Sequence, residues 1–253
     1  MAAQIFAVES VIYRIADEMQ ESFEQMDSTS NYAKTIAPYA SKCSLSKIIA
    51  TESLDAIVDE ALQIHGGYGY MKEYEIENIY RDVRINRIVE GTNEINRIIL
   101  ARECMNADYE SLPTLEETEQ PLLHIVREVE KVIVQTIQYF QKEQLVDMNQ
   151  HQTIAHFIAN CATHFYAIES AVLRTEKVDK SGKNSSYMYA LTNLFIQRAI
   201  TKLVSESTYV LSECNNAELI TNWMNLLSVH RTNYLSLQQL VSEKLIQTEN
   251  YSV

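Results

Sequence analysis

Apolar side chains at Ile5, Val8, Ile12, Ile15, Met19, Phe23 and Met26 recur in steps of three and four, the spacing that lays a stripe along one face of an α-helix. No Ser, Thr, Asp or Asn stands ahead of that ladder to cap it, so the chain is expected to begin inside a helix. Asp27 to Tyr32 is polar and reads as a loop. A second helix is expected from near Pro38 to Ile64, with Leu54, Ile57, Val58, Ala61 and Leu62 on its apolar face and Gly66 as a left-handed stop. The stretch that follows is too irregular for one long helix. It predicts a short helical turn around Tyr74 to Arg84 and another helix opening near Thr92.

Between Ser111 and Glu119 the chain becomes polar and acidic around Pro113, which marks residues 111–120 as a linker. Four helices are expected beyond it, at Pro121 to Lys142, Gln152 to Lys177, Ser186 to Ser212 and Ala217 to Gln247, separated by short polar joins. Leu122, Ile125, Val126, Val129, Val132 and Ile133 form the apolar face of the first; Ile220, Trp223, Leu226, Leu227, His230 and Leu235 line the last. The pattern implies an all-α protein: a helical domain over residues 1–110, a linker, and a second antiparallel helical bundle over residues 121–253.

Composition sharpens this picture. Only five Gly and three Pro occur in 253 residues, which argues against a turn-rich β fold. A net charge of -13 disfavours nucleic acid, whose binding rests on Lys and Arg meeting phosphates. Cys43, Cys104, Cys161 and Cys214 lie far apart, without zinc-type spacing, and read as reduced thiols of a cytoplasmic protein. The six histidines show no ligand spacing, so no metal site is expected. No apolar run is long enough for a membrane span.

Four of the five glycines, Gly66, Gly67, Gly69 and Gly91, fall in the irregular stretch, where positive φ or close approach to a ligand is the usual reason for glycine. Glycines at a helix end and the helix opening at Gly91 and Thr92 offer backbone N–H groups that together could cradle phosphates. Glu90 stands just before that helix among Ile88, Val89 and Ile95; burial there would raise its pKa, and the helix dipole would lower it. A carboxylate so placed can act as a general base. The plainer readings are a C-cap for Gly66 and Gly67, a dipole contact for Glu90, a surface pair for Glu94 and Arg97, and a helix-end cation for Arg102. Arg102 also continues the stripe of Ile95 and Ile98, which would set its guanidinium beside a buried face.

Ala61-Leu-Gln-Ile-His-Gly-Gly-Tyr-Gly-Tyr-Met-Lys-Glu, Tyr80-Arg-Asp-Val-Arg-Ile, Glu90-Gly-Thr-Asn-Glu-Ile-Asn-Arg and the closing Ala101-Arg-Glu resemble, in order and separation, the C-terminal signature of acyl-CoA dehydrogenases. The resemblance is close over about Met1 to Ala107. The helical remainder is similar in size and placement to the tail of the very-long-chain branch. It implies FAD as cofactor, acyl-CoA as substrate, trans-2-enoyl-CoA as product in fatty-acid β-oxidation, and electron-transfer flavoprotein as electron acceptor.

By the same resemblance Glu90 matches the base that removes the α-proton. Gln63, Gly66 and Gly67 match FAD contacts to a neighbouring subunit, hence an expected homodimer. Thr92 and Glu94 match further flavin contacts, Gly91 lies by the thioester, and Arg102 matches a residue reaching the CoA portion. Some relatives carry Gln where Glu94 stands, so its carboxylate would accept rather than donate. The family's N-terminal helical and middle β domains have no counterpart, and a helix should precede Met1. The chain is therefore expected to be a fragment, inactive in isolation. A helical dimerisation or docking module and an acyl-CoA oxidase are the alternatives.

Overall fold

A computed structural model describes residues 1–26, 31–109, 120–145, 147–182, 184–212, 214, 216–230, 232–248 and 251. Among them the regular elements are all helical: α1 (Ala2–Glu24), α2 (Tyr32–Ile36), α3 (Ala40–His65), α4 (Glu75–Val83), α5 (Asn93–Asn106), α6 (Pro121–Lys142), α7 (Gln152–Lys180), α8 (Ser186–Ser212), α9 (Ala217–Val229) and α10 (Tyr234–Thr248). Single 3-10 turns occupy Ala37–Tyr39, Gly66–Tyr70 and Arg84–Arg87. The linker expected at 111–120 lies outside the described residues except for Gln120, as does most of the expected loop at Asp27 to Tyr32.

One apolar core joins the two halves of the chain. Ala7, Val11 and Ile15 of α1 and Leu100, Ala101 and Met105 of α5 belong to the same cluster as Val129, Ile168, Ile196, Leu203 and Trp223. The six apolar positions read along α6 are all buried, as a wide helical stripe facing a core should be. Trp223 is fully enclosed, and its Nε1 donates to Thr136 Oγ1 at 3.0 Å, so the indole meets both apolar and polar demands. A smaller cluster brings Phe6 of α1 against Leu191, Leu194 and Val241. Arg14 Nη1 to Glu169 at 2.6 Å and Arg174 to Glu9 at 3.2 Å cross between α1 and α7 beside these contacts.

Three sequence expectations need correction. In the first half of α1 the buried face is Phe6, Ala7, Ser10 and Val11, not the Ile5, Val8 and Ile12 ladder. Small Ala7 and Ser10 suit close approach to the neighbouring helices, and Ser10 Oγ donates back to the Phe6 carbonyl at 2.7 Å. In α3 the buried stripe is Ser44, Leu45, Ile48, Ile49, Ser53 and Val58, while Leu54 is exposed. The expected helix from Ala217 to Gln247 is two helices. His230 ends α9, buried with Nε2 3.2 Å from the Asn193 carbonyl, and the Asn233 side chain accepts from Ser236 N to open α10. These local bonds compete with a continuous helix. Leu235, expected to face the core, is 75% exposed.

Candidate functional site

α3 ends at Gly66, whose φ of 57° and ψ of -141° only glycine adopts without strain. Gly69 serves a different need: a Cβ there would sit 2.6 Å from the Leu62 carbonyl oxygen. The chain then folds back along α3. Tyr80 donates to Asp59 at 3.1 Å, Arg87 pairs with Asp55 at 3.0 Å, and the strand of contacts reaches the middle of α3 as α5 begins.

The turn into α5 is the most constrained backbone in this region. Glu90 (φ 58°) and Gly91 (φ 79°) are consecutive left-handed residues, and a side-chain-bearing residue in that region costs of order 1 kcal/mol or more. Side chains hold the turn in place. The Gly91 carbonyl accepts from Lys47 Nζ at 2.9 Å and from Asn96 Nδ2 at 2.9 Å. Lys47 also donates to Asn93 Oδ1 at 2.6 Å, while Asn93 Nδ2 donates to Thr51 Oγ1 at 3.0 Å and Glu52 Oε1 at 3.1 Å. Thr92 caps the helix, its Oγ1 accepting from Ile95 N at 3.3 Å. The Glu94 carboxyl is held below its usual range, chiefly by its own backbone N–H, then by the Thr92 hydroxyl and Arg97; partial burial opposes them.

The structure therefore brings Glu90, Gly91, Thr92 and Glu94 together at one end of α5. It does not bring them beside Gln63, Gly66 and Gly67. From Thr51, which bonds Asn93, α3 runs on to Gln63, at 1.5 Å per residue a distance of about 18 Å. A single phosphate cradle built from both glycine sites is excluded within one chain. Gln63 instead lies in a groove of about 450 Å³ with Tyr70, Tyr80, Arg81 and Arg84.

Glu90 is exposed, contrary to the expectation that apolar neighbours bury it. Ile88 (51% exposed), Val89 and Ile95 point outward rather than over the carboxylate. Ile64, Tyr68, Tyr70, Ile85 and Ile99 are solvent-facing as well. Arg102 is likewise exposed, because α5 buries Arg97, Leu100 and Ala101 instead; its Nη2 donates to Asn149 Oδ1 at 2.6 Å. Arg97, expected at the surface beside Glu94, is buried. It pairs with Glu52 at 2.7 Å and donates through Nε to Asn160 Oδ1 at 2.9 Å.

Lys47, Asn93 and Asn96 fix the Glu90 turn, and sequence reasoning passed over all three. The two asparagines lie inside the quoted motif, where Asn at a helix start is a recognisable capping signal. Nothing in the apolar pattern marks Lys47.

Two family models match the chain, each described as the acyl-CoA dehydrogenase C-terminal domain, over residues 1–105 and 131–229. The chain belongs to the acyl-CoA dehydrogenase family. A probable acyl-CoA dehydrogenase of Bacillus subtilis (strain 168) is 31% identical, covering 100% of this chain and 48% of its own length. The crystal structure of an acyl-CoA dehydrogenase complexed with FAD from Bacillus anthracis superposes with a TM-score of 0.88 at 34% identity, covering 100% of this chain and 47% of that one. Similarity to the rat very-long-chain specific enzyme, 35% identical, extends over 42% of this chain, so the branch suggested by the tail is only weakly supported. The chain spans about half the length of the relatives it matches.

Proposed function

We propose that the chain is the C-terminal part of an FAD-dependent acyl-CoA dehydrogenase that converts acyl-CoA to trans-2-enoyl-CoA, with Glu90 as the base. The observation that carries this reading is the Glu90 turn: a carboxylate on a left-handed backbone, locked by Lys47, Asn93 and Asn96 at a helix opening and bordered by exposed apolar side chains. Strain held by so many bonds is characteristic of functional positions.

The residues present fit a flavin nucleotide. Gly66 and Gly67 have open space where a Cβ would project, and Gln63 shares its groove with Arg84 and with Arg81, which is paired with Glu77. Gln63, Gly66 and Gly67 would hold one part of FAD and Thr92 and Glu94 another. Their separation supports two cofactor contacts from different subunits of a homodimer. When bound, FAD supplies the acceptor for the β-hydrogen, which leaves as hydride.

Glu90 takes the α-proton on its carboxylate while Gly91 lies against the thioester. A thioester α-proton is weakly acidic, so a carboxylate base works better once water is excluded from it. Glu90 is exposed in this chain, and the apolar surface around it is where further protein would close over substrate. Arg102, at the exposed face of α5, would meet the CoA portion.

The domain boundary is proposed at residues 111–120, with residues 1–110 carrying the site and 121–253 buttressing it through the shared core; the two separate family matches support this division. Electron-transfer flavoprotein is the proposed acceptor, in keeping with an Acetobacterium woodii relative described as a subunit of a caffeyl-CoA reductase-Etf complex. A role in β-oxidation and a cytoplasmic location complete the proposal. No helix among the described residues is long and apolar enough to cross a membrane. Acyl-CoA oxidase from Caenorhabditis elegans superposes over 95% of the chain with a TM-score of 0.63, but at 14% identity that likeness concerns the fold alone.

The test joins this chain to the N-terminal half of the Bacillus anthracis relative and follows flavin absorbance on adding acyl-CoA without oxygen. Bleaching is expected in the joined protein and not in the isolated chain. A joined, folded protein that never retains FAD overturns the reading and leaves a helical docking module. Rapid oxygen uptake during turnover would make it an oxidase.

A further inference from the structure

A second site lies on the other side of Arg97, where α3 and α5 meet α7 and α8. It is a cavity of about 290 Å³ whose wall includes Arg87, Arg97, Arg198 and Lys202. Glu52 is the one carboxylate lining it, and it is engaged with Arg97 and Asn93. Glu206 lies behind the wall, accepting from Asn160 Nδ2 at 2.9 Å. Arg97 is paired with Glu52 and Arg87 with Asp55, which leaves Arg198 and Lys202 as the wall's cations that need a reason.

Several residues in its wall carry covered polar atoms that have no partner. Six buried side-chain polar atoms among the described residues lack a protein partner, and three of them belong to residues lining this cavity: Arg87 Nε, Thr163 Oγ1 and His164 Nδ1. Thr163 is 3% exposed, yet its hydroxyl does not take the usual bond back to its own helix. Native proteins leave few such groups unsatisfied, so three in one place point to a ligand they serve. All three can donate. Burial, followed by Lys202 and Arg97, pushes the His164 pKa down to about 3, so the ring is neutral at physiological pH and one nitrogen carries a proton. Arg198 and Lys202 stand exposed at the mouth without an ion-pair partner among the described residues.

We propose that this cavity is a binding site for a compact, multiply charged oxyanion of phosphate or pyrophosphate type, admitted between Arg198 and Lys202, whose entry turns the covered donors of Thr163, His164 and Arg87 towards it. It is separate from the residues assigned to flavin and acyl-CoA and does not depend on that assignment. Its volume is at the lower limit of small-molecule pockets, which fits a phosphate group and not a nucleoside with it. Charge-assisted bonds from Arg and Lys would supply most of the affinity; the neutral donors would select an oxyanion over chloride.

Isothermal titration of the 253-residue chain with sodium pyrophosphate, and separately with inorganic phosphate, tests the site at ionic strength matched with chloride. Saturable binding is expected, roughly tenfold or more weaker in an Arg198→Ala, Lys202→Ala double variant, whose side chains are exposed and support no core packing. Thr163→Val should weaken binding while the double variant's circular dichroism stays native. A chloride-matched titration with no heat of binding overturns the proposal. So does binding that both variants leave unchanged, which would place the anion elsewhere on the surface.

Discussion

His164 gives the fold a pH dependence that can be calculated. Its Nδ1 is covered and without a protein partner, and burial, with Lys202 and Arg97 next in effect, holds its pKa near 3 against an ordinary 6.5. Below pH 6.5 the unfolded chain binds a proton at this residue, and the folded chain binds none until pH approaches 3. The unfolded state therefore holds more protons in that window, so stability rises with pH and is lost as pH falls from 6.5 towards 3. Integrated between pH 7 and pH 4, the loss from this one ring is about 3 kcal/mol. Carboxylates titrate in the same range, so the comparison needs a variant. His164→Gln keeps a polar group of similar reach that does not titrate. Urea unfolding followed by circular dichroism at pH 7 and pH 4, without multivalent anions, should show the wild type losing about 3 kcal/mol more than the variant. Equal acid losses in the two proteins would refute the burial of a neutral His164.

Glu52→Gln should destabilise the chain by about 2 to 4 kcal/mol in urea unfolding, because Arg97 remains buried with its charge uncompensated; a change under about 0.5 kcal/mol would mean that Arg97 reaches solvent. Gly69→Ala should lower stability by about 1 to 3 kcal/mol, since its Cβ would strike the Leu62 carbonyl, whereas Gly67→Ala, which meets nothing within 4 Å, should stay within about 0.5 kcal/mol. The pair is read by the shift in thermal midpoint, and equal effects would contradict the turn geometry.

The long amphipathic helices were legible because their burial follows period: every apolar position read along α6 faces the core. Period fails where tertiary contacts choose among several apolar faces. α1 offers Ile5, Val8 and Ile12, yet α3, α7 and α8 pack against the face carrying Phe6, Ala7 and Val11, so the stripe is turned. The break at His230 to Asn233 depends on a bond to Asn193, 37 residues earlier, which no local pattern carries. At the Glu90 turn, the sequence marked the helix opening at Thr92 and anticipated positive φ at Gly66 and Gly91. It misjudged their surroundings. Burial of Glu90 is not a property of its neighbours in sequence: Ile88, Val89 and Ile95 flank it without covering it. The Lys47 anchor and the buried Arg97 pair are contacts across more than forty residues, visible only once α3 and α5 lie side by side.

Glu90→Gln in the protein joined to the Bacillus anthracis N-terminal half addresses the role of the carboxylate without altering the left-handed turn or its Lys47 and Asn96 anchors. The account predicts that the variant retains its flavin spectrum but no longer bleaches with acyl-CoA, and that exchange of the substrate α-hydrogen with deuterated solvent stops as well. Bleaching and exchange at the unmodified rate would contradict it and place the base on another residue.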